Sequence, residues 1–135
     1  MAYQSFEDLE VWQRGCRLAV DVFRAFEKCK RFTLKDQIER AALSIPSNVA
    51  EGSERGTLKE FTHFLNISKG SGGELRTQLY IARKLEAVGR TDFNRLLNES
   101  RELSAMLEGL RRSMLSKFRS KQKRASRKRA RRRKL

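Results

Sequence analysis

The sequence predicts an all-α protein, an antiparallel up-down-up-down four-helix bundle followed by a basic, disordered C-terminal tail. Apolar residues recur at spacings of three and four in four successive segments, which is typical of amphipathic helices joined by short loops. The body is rich in residues that lose little rotamer freedom in a helix, and the chain has one proline. We therefore divide the chain into a bundle, residues 1–116, and a polybasic tail, residues 117–135.

The first helix is predicted from one apolar stripe. Ser5 with Asp8 resembles a capping arrangement that starts a helix. The stripe consists of Leu9, Trp12, Cys16, Ala19, Phe23 and Phe26. Cys16 and Cys29 lie 13 residues apart, about 20 Å along one helix, so they cannot bridge each other and we expect free thiols.

The second helix opens near Thr33 and is expected to end at Gly52, a plausible helix terminator. Its apolar face consists of Ile38, Ala42, Ile45 and Val49. Pro46 lies inside it, where a proline removes one backbone donor and crowds the carbonyl of Ala42. We expect nearby Ser and Asn side chains to satisfy the groups that the proline frees.

Thr57 and Glu60 form a capping box that starts the third helix, which is expected to run to about Val88 before Gly89 stops it. Its stripe consists of Leu58, Phe61, Leu65, Ser68, Gly72, Leu75, Leu79 and Ala82. Three glycines between Gly70 and Gly73 indicate a bend or a very close helix contact.

Thr91 is the expected cap of the fourth helix, after which apolar residues again recur at helical spacing. Its stripe consists of Phe93, Leu96, Leu97, Ser100, Leu103, Leu107, Leu110 and Met114. Beyond this stripe apolar residues almost vanish, so the bundle is expected to end there.

The segment QIERAALSIPSNVAEG from Gln37 to Gly52, with Glu60-Phe61 and SGGEL from Ser71, resembles the signature of a known four-helix-bundle family. That family was first named for proteins encoded in intervening sequences of bacterial 23S ribosomal RNA, and the resemblance extends from Ser5 to Met114. The motif residues are Arg40, Ser44, Asn48, Glu51, Gly52, Ser71 and Glu74.

The same family includes the accessory proteins of diversity-generating retroelements, which form pentameric barrels and bind nucleic acid and a reverse transcriptase. The resemblance therefore implies a cytosolic bundle, a homopentamer with a nucleic-acid role, and it makes a reverse transcriptase a candidate partner. It assigns no established biochemical function to most members.

The motif also has a physical interpretation, because Arg40, Ser44, Ser47, Asn48 and Glu51 lie three or four residues apart on one helix. They form a polar stripe beside the apolar one. We favour a structural role, orienting helices or sealing subunit contacts, because buried polar groups need hydrogen-bond partners. Direct ligand contact is the alternative.

No residue set predicts catalysis, a metal or a cofactor, so we expect a protein that is not an enzyme. Glu60 and His63 have the Glu-x-x-His spacing of di-iron bundles, but such a site needs a second motif and the chain has one histidine. The glycines from Gly70 to Gly73 lack the Gly-Lys-Ser/Thr ending of a phosphate loop. Cys16 lies on an apolar stripe, where a small hydrophobic residue is expected.

Charge is concentrated at the C-terminus. The chain carries a formal +15, and 12 of its 31 basic residues lie in the last 19 positions, which hold no Asp or Glu. Such a run is solvated and disordered when free, and it binds phosphates by releasing counterions. The predicted nucleic-acid contacts are Lys117, Arg119, Lys121, Lys123, Arg124, Arg127, Lys128, Arg129, Arg131, Arg132, Arg133 and Lys134, with Arg111 and Arg112. Weaker candidates in the body are Arg14, Arg17, Arg24, Lys28, Lys30, Arg31, Arg83, Lys84 and Arg90.

The sequence thus predicts a non-enzymatic scaffold that binds RNA or DNA through phosphates. The alternative is a protein-binding adaptor, docking for instance a reverse transcriptase, whose tail only aids solubility or attachment to an anionic surface. Anionic lipid is disfavoured because anchoring also needs an apolar face or an acyl chain. No apolar run is long enough for a membrane span and the N-terminus does not resemble a signal peptide, so we expect a cytoplasmic protein.

Overall fold

The computed structural model describes residues 5–134, and within them it contains helices and no strand. A short 3₁₀ turn, Phe6–Asp8, precedes four helices: α1 is Glu10–Ala25, α2 is Phe32–Glu54, α3 is Leu58–Lys84 and α4 is Arg90–Lys134. The predicted all-α class is confirmed. Met1–Gln4 and Leu135, the ends of the predicted bundle and tail, lie outside the described residues.

The helices pack in a ring in which α1 and α3 each contact both α2 and α4. Neighbours run antiparallel. The C-terminal Gly52 of α2 lies against Phe64 near the start of α3, while Ser68 Oγ donates to Ile45 O at 2.7 Å near the middle of both helices. The predicted up-down-up-down four-helix bundle is confirmed.

The predicted cap starts the 3₁₀ turn and not α1, which begins at Glu10 without a side-chain cap, and the buried face of α1 is shifted from the predicted one. Ser5 Oγ accepts from the Glu7 N–H at 3.2 Å. The buried residues of α1 are Val11, Gly15, Leu18, Ala19 and Val22, whereas Phe23 is 38% exposed. The predicted stripe was therefore wrong in part: Ala19 and Phe26 are buried and Leu9 and Trp12 pack against the core, but Phe23 turns outward. The reason is a close approach at Gly15, where a Cβ would lie 3.3 Å from Pro46 Cβ, so this glycine's face turns toward α2.

The predicted apolar face of α2 is buried throughout, but the helix does not end at Gly52. Gly52 lies inside α2 because α3 approaches it closely: a Cβ there would lie 2.5 Å from Phe64 Cβ. The helix ends two residues later, and Gly56, with φ of 84°, turns the chain.

The polar groups near Pro46 do not bond as expected. Ser44 Oγ donates to Arg40 O at 2.8 Å, and Asn48 Nδ2 donates to Ser44 O at 2.7 Å. Both side chains thus bond carbonyls of their own helix other than that of Ala42, so our expectation for that carbonyl was wrong.

The start and the buried stripe of α3 are confirmed, since Thr57 Oγ1 accepts from the Glu60 N–H at 3.1 Å. The end was predicted too late. Glu86 adopts φ of 58°, and the Glu86 N–H bonds Arg83 O at 3.1 Å while the Ala87 N–H bonds Ala82 O at 2.8 Å. These two bonds form a Schellman motif, which ends the helix without a glycine.

The glycines do not interrupt α3, which is one continuous helix. Gly72 instead gives α4 room, because a Cβ on it would lie 2.9 Å from Ser104 Oγ. Of the two explanations offered by the sequence, close helix contact is the one that the structure supports.

The fourth helix begins at Arg90, one residue before the expected cap Thr91. The reason is that the Gly89 carbonyl already accepts from the Phe93 N–H at 2.9 Å, which closes the first turn. The predicted core face is otherwise confirmed, with Phe93 and Leu110 half-buried.

Beyond the bundle, α4 continues without a break across the predicted boundary between Ser116 and Lys117. Phe118 is half-buried, and every residue from Arg119 to Lys134 is exposed. We call residues 117–134 the basic arm. From Arg119 onward no buried residue supports its helix, and like charges three or four residues apart repel one another, so disorder of the unbound arm stays a prediction.

Candidate nucleic-acid interface

The basic arm brings all twelve predicted tail cations onto one helix that projects from the bundle. At 1.5 Å per residue its 18 residues span about 27 Å. Because the arm contains no Asp or Glu, no carboxylate within it competes with an external anion. The arm can therefore present every one of its charges to a phosphate chain.

Ten of these cations fall on two stripes. At 3.6 residues per turn the centres of the two stripes lie about 125° apart around the helix axis, and their nearest members, Arg127 and Arg131, lie about 40° apart. The first stripe consists of Lys117, Lys121, Arg124, Lys128, Arg131 and Arg132, and the second of Arg119, Lys123, Arg127 and Lys134. Arg129 and Arg133 lie outside both stripes.

Arg111 and Arg112, the remaining predicted contacts, are tied to one carboxylate. Glu108 accepts from Arg111 Nε at 2.8 Å, from Arg112 Nε at 2.9 Å and from Lys69 Nζ at 3.0 Å. These bonds, that from Arg111 first, hold the pKa of Glu108 well below its usual range. We call these four residues the Glu108 cluster.

The Glu108 cluster holds three positive charges and one negative charge, so it remains cationic. The Arg112 side chain is 76% exposed and that of Arg111 only 27%. Arg112 is therefore the member best placed to meet an external phosphate. The pairing on α4 could have been predicted from the i,i+3 and i,i+4 spacing, but Lys69 was missed because it comes from α3 and no local pattern connects it to Glu108.

A shallow groove of about 490 Å³ connects the Glu108 cluster to the arm. It is lined by Arg111, Arg112, Leu115, Ser116, Arg119, Ser120 and Lys123. The guanidinium, ammonium and hydroxyl groups of this set are all hydrogen-bond donors that phosphate oxygens accept. The positive surface thus continues from the body of the bundle onto the second stripe.

Arg14, one of the weaker candidates, is occupied within the bundle. Its guanidinium bonds Glu99 at 2.8 Å and Glu102 at 3.1 Å, and its side chain is 16% exposed. These carboxylates raise the pKa of Arg14. The residue ties α1 to α4 rather than presenting a free charge.

The polar stripe of the motif faces solvent within one chain. Ser44 and Asn48 are half-buried and Arg40 is exposed, and Glu51 pairs with Arg55 at 2.9 Å. A groove of about 380 Å³ here is lined by Phe23, Asp36, Glu39, Arg40, Leu43, Ser44, Ser47 and Asn48. We call it the motif groove. The side-chain hydrogen bonds of Ser44 and Asn48 both stay within α2.

The other motif residues divide into packing and exposed positions. Gly52 allows the close approach of α3. Ser71 is buried, and its Oγ donates to Ile67 O at 3.3 Å. Glu74 is exposed. The motif therefore combines fold determinants with surface residues.

The sequence did not predict an apolar groove that the structure contains. A groove of about 560 Å³ at the junction of α2 and α3 is lined by Arg31, Phe32, Thr33, Leu34, Gln37, Gln78, Ile81 and Leu85. We call it the Phe32 groove, since Phe32 is 67% exposed. Within the part of the chain that the structure describes, Gln78 Oε1 is buried without a hydrogen-bond partner. The signal is a set of exposed apolar residues, Phe32, Ile81 and Leu85, but their proximity depends on the tertiary fold.

The residues considered for chemistry are dispersed. His63 is exposed and packs edge-on against Phe64, and no group of three or more His, Cys, Asp or Glu among residues 5–134 is placed to hold a metal ion. Cys16 and Cys29 are free thiols, as predicted, and burial raises the pKa of Cys16. Among the described helices, none combines the length and apolar character needed to cross a membrane.

Comparison with known proteins gives two similarities. Residues 7–109 match the family model described as 23S rRNA-intervening sequence protein. A crystal structure of a protein with unknown function from the S23 ribosomal protein family of Bacteroides thetaiotaomicron VPI-5482 superposes with a TM-score of 0.71 at 23% identity, covering 74% of this chain and 96% of that chain. At this identity the likeness concerns the fold.

None of the curated proteins matches the sequence. The family match stops before Arg111, so the basic arm and two members of the Glu108 cluster lie beyond it.

Proposed function

The chain belongs to the 23S rRNA-intervening sequence protein family, and on that premise we propose that it is a non-enzymatic scaffold that binds nucleic acid through the basic arm. The observation that carries the proposal is an exposed helix with twelve cations and no anion among its described residues. Cations in this density gain affinity by neutralising phosphates and releasing counterions, with little sequence preference. The bundle holds the arm in place and needs no cofactor.

The proposal extends to two biological settings. The scaffold serves either as an rRNA intervening-sequence protein or as an accessory factor of a reverse transcriptase in a diversity-generating retroelement. Both settings require an RNA or a DNA partner inside the cell, and we accordingly propose a cytoplasmic location. The two free thiols support a reducing compartment.

We further propose that the chain assembles with copies of itself, as a homopentamer. Two different surfaces that each expose an apolar side chain support this: the motif groove, where Leu43 is 48% exposed, and the Phe32 groove, where Phe32 is 67% exposed. A contact between two different surfaces is heterologous and closes into a ring when the rotation permits. Light scattering should give five times the 15.7 kDa chain mass, and a monomer would contradict the assembly.

The binding proposal is tested by measuring the affinity of the full chain for duplex DNA, duplex RNA and single strands of each from low to high salt. We expect binding to at least one of them, weakening steeply as salt rises. Absence of binding to all four at low salt would overturn the proposed function.

The second candidate is a protein-binding adaptor, and the Phe32 groove favours it. An exposed Phe beside a buried, unpartnered Gln78 Oε1 suits a partner that brings an apolar side chain and a hydrogen-bond donor. This candidate gains support if the full chain binds no nucleic acid while Phe32→Asp abolishes binding to a purified reverse transcriptase.

A further inference from the structure

We propose that the basic arm binds double-helical DNA as an α-helix lying in the major groove, and that this helix becomes fully stable only when phosphates flank it. The inference rests on the proposed nucleic-acid function and names its substrate class. It depends on four features of α4: its continuity, its exposure, the spacing of its charges and its diameter.

Continuity with the bundle makes the arm ready to form a helix. Forming the first turn is the costly step for an isolated helix, but here α4 is already helical through the buried Met114 and the half-buried Phe118. Each further residue of the arm therefore only extends an existing helix. An extension of about 27 Å covers about eight base pairs at 3.4 Å each.

Exposure and charge oppose that extension in the free protein. From Arg119 onward no residue is buried, so no packing stabilises the arm. Cations at i,i+3 and i,i+4, such as Lys121 with Arg124 and Arg124 with Lys128, repel one another. Phosphates that neutralise these charges remove the repulsion, which couples arm folding to binding.

The two stripes indicate a groove rather than a flat surface or one strand. Stripes whose centres lie about 125° apart cannot both lie against a plane, but each can face one of two phosphate backbones that flank a helix between them. The face opposite holds the uncharged Gln122 and Ala125 near the bundle, and Arg129 and Arg133 farther along the arm. Its uncharged part is suited to point out of the groove.

Helix diameter selects the kind of duplex. An α-helix with its side chains is about 10–12 Å across, and the B-DNA major groove, about 12 Å wide, admits it. The major groove of A-form RNA is deep and narrow and excludes such a helix. Duplex DNA is therefore the substrate that fits the arm.

The first test changes the helix but keeps all the charges. Gln122→Pro removes a helix hydrogen bond and crowds the carbonyl of Phe118, while Gln122→Ala is the matched control. We expect the proline variant to bind a 20-base-pair duplex DNA at least about tenfold more weakly than the alanine variant, since the arm beyond it can no longer follow the groove. Equal affinities would overturn groove binding and leave charge-driven nucleic-acid binding intact.

The second test compares two double variants that each remove two positive charges from different faces of the arm. Arg119→Gln with Arg127→Gln removes two arginines from the second stripe, and Arg129→Gln with Arg133→Gln removes two from outside both stripes. We expect the stripe pair to weaken duplex DNA binding several-fold more than the control pair. Equal losses would contradict the stripe assignment.

Circular dichroism separates the substrates. We expect added duplex DNA to raise the helix content of the full chain, and duplex RNA or polyphosphate to raise it less at equal phosphate concentration. An equal gain in helix content with all three would overturn binding in the major groove. Absence of binding to any nucleic acid would instead contradict the proposed function itself.

Discussion

Neutralising Glu108 should strengthen nucleic-acid binding. Its carboxylate holds Arg111, Arg112 and Lys69 at 2.8 to 3.0 Å, so it competes with phosphate for three cations at the base of the arm. Glu108→Gln keeps the size of the side chain and removes that competition. The perturbation therefore adds potential phosphate contacts without adding a basic residue.

The magnitude follows from how many of those cations can turn outward. Each phosphate neutralised makes the slope of log K against log salt steeper by about 0.9, which corresponds to about fivefold in affinity at 0.15 M salt. Arg112 is 76% exposed, whereas Arg111 and Lys69 are 27% and 37% exposed. We expect Arg112 to form one full phosphate contact, which raises the affinity about fivefold. The upper limit is about a hundredfold, reached if Arg111, Arg112 and Lys69 each form such a contact.

Fluorescence anisotropy with labelled duplex DNA between 50 and 300 mM salt measures both the affinity and the slope. The matched control is Glu86→Gln, which makes the same change in charge in the turn before α4, whose first residue lies about 40 Å from the arm. Equal effects of the two variants would show that only net charge matters and would refute the local competition.

Three further predictions concern stability, measured as the free energy of unfolding in denaturant. Gly52→Ala should lose about 1–3 kcal/mol because its Cβ meets Phe64, whereas Gly70→Ala, with nothing within 4 Å of the added Cβ, should gain up to about 1 kcal/mol; equal effects would contradict the close contact. Arg14→Met should lose about 1 kcal/mol because it removes the guanidinium that Glu99 and Glu102 bond. The control Arg17→Met, at an exposed position, should change stability by less than about 0.5 kcal/mol. The folded state lowers the pKa of Glu108, so its contribution is present above the unfolded pKa near 4.3 and is lost as pH falls through the folded pKa; Glu108→Gln should flatten that acid decline, and an unchanged pH profile would contradict it.

The periodic pattern predicted α2, α3 and the core face of α4 because apolar spacing reports directly which side of a helix is buried. It predicted the buried face of α1 only in part, since the approach of Gly15 to Pro46 turns that helix by an amount that no local spacing records. Gly52 was read as a terminator for a similar reason. The sequence alone does not distinguish a glycine that allows close helix packing from a glycine that ends a helix.

The candidate interface was predicted in part. Charge density alone located the basic arm, because it needs no tertiary information. The Glu108 cluster and the Phe32 groove depend on residues from different helices, such as Lys69 with Glu108 and Phe32 with Ile81, which only the fold brings together. The sequence likewise could not predict that the motif stripe is exposed, since polar periodicity does not distinguish a solvent-facing surface from a buried contact.

Truncation after Phe118 tests most directly whether the arm supplies the affinity for nucleic acid. It removes eleven basic residues and no acidic one, so the formal charge falls from +15 to +4, and the bundle core is untouched because every described residue removed is exposed. We expect the full chain to lose about 10³-fold or more in affinity between 50 and 200 mM salt, and the truncated chain to bind far more weakly with a much shallower slope. Equal affinity and slope for the two proteins, with unchanged unfolding, would contradict the account.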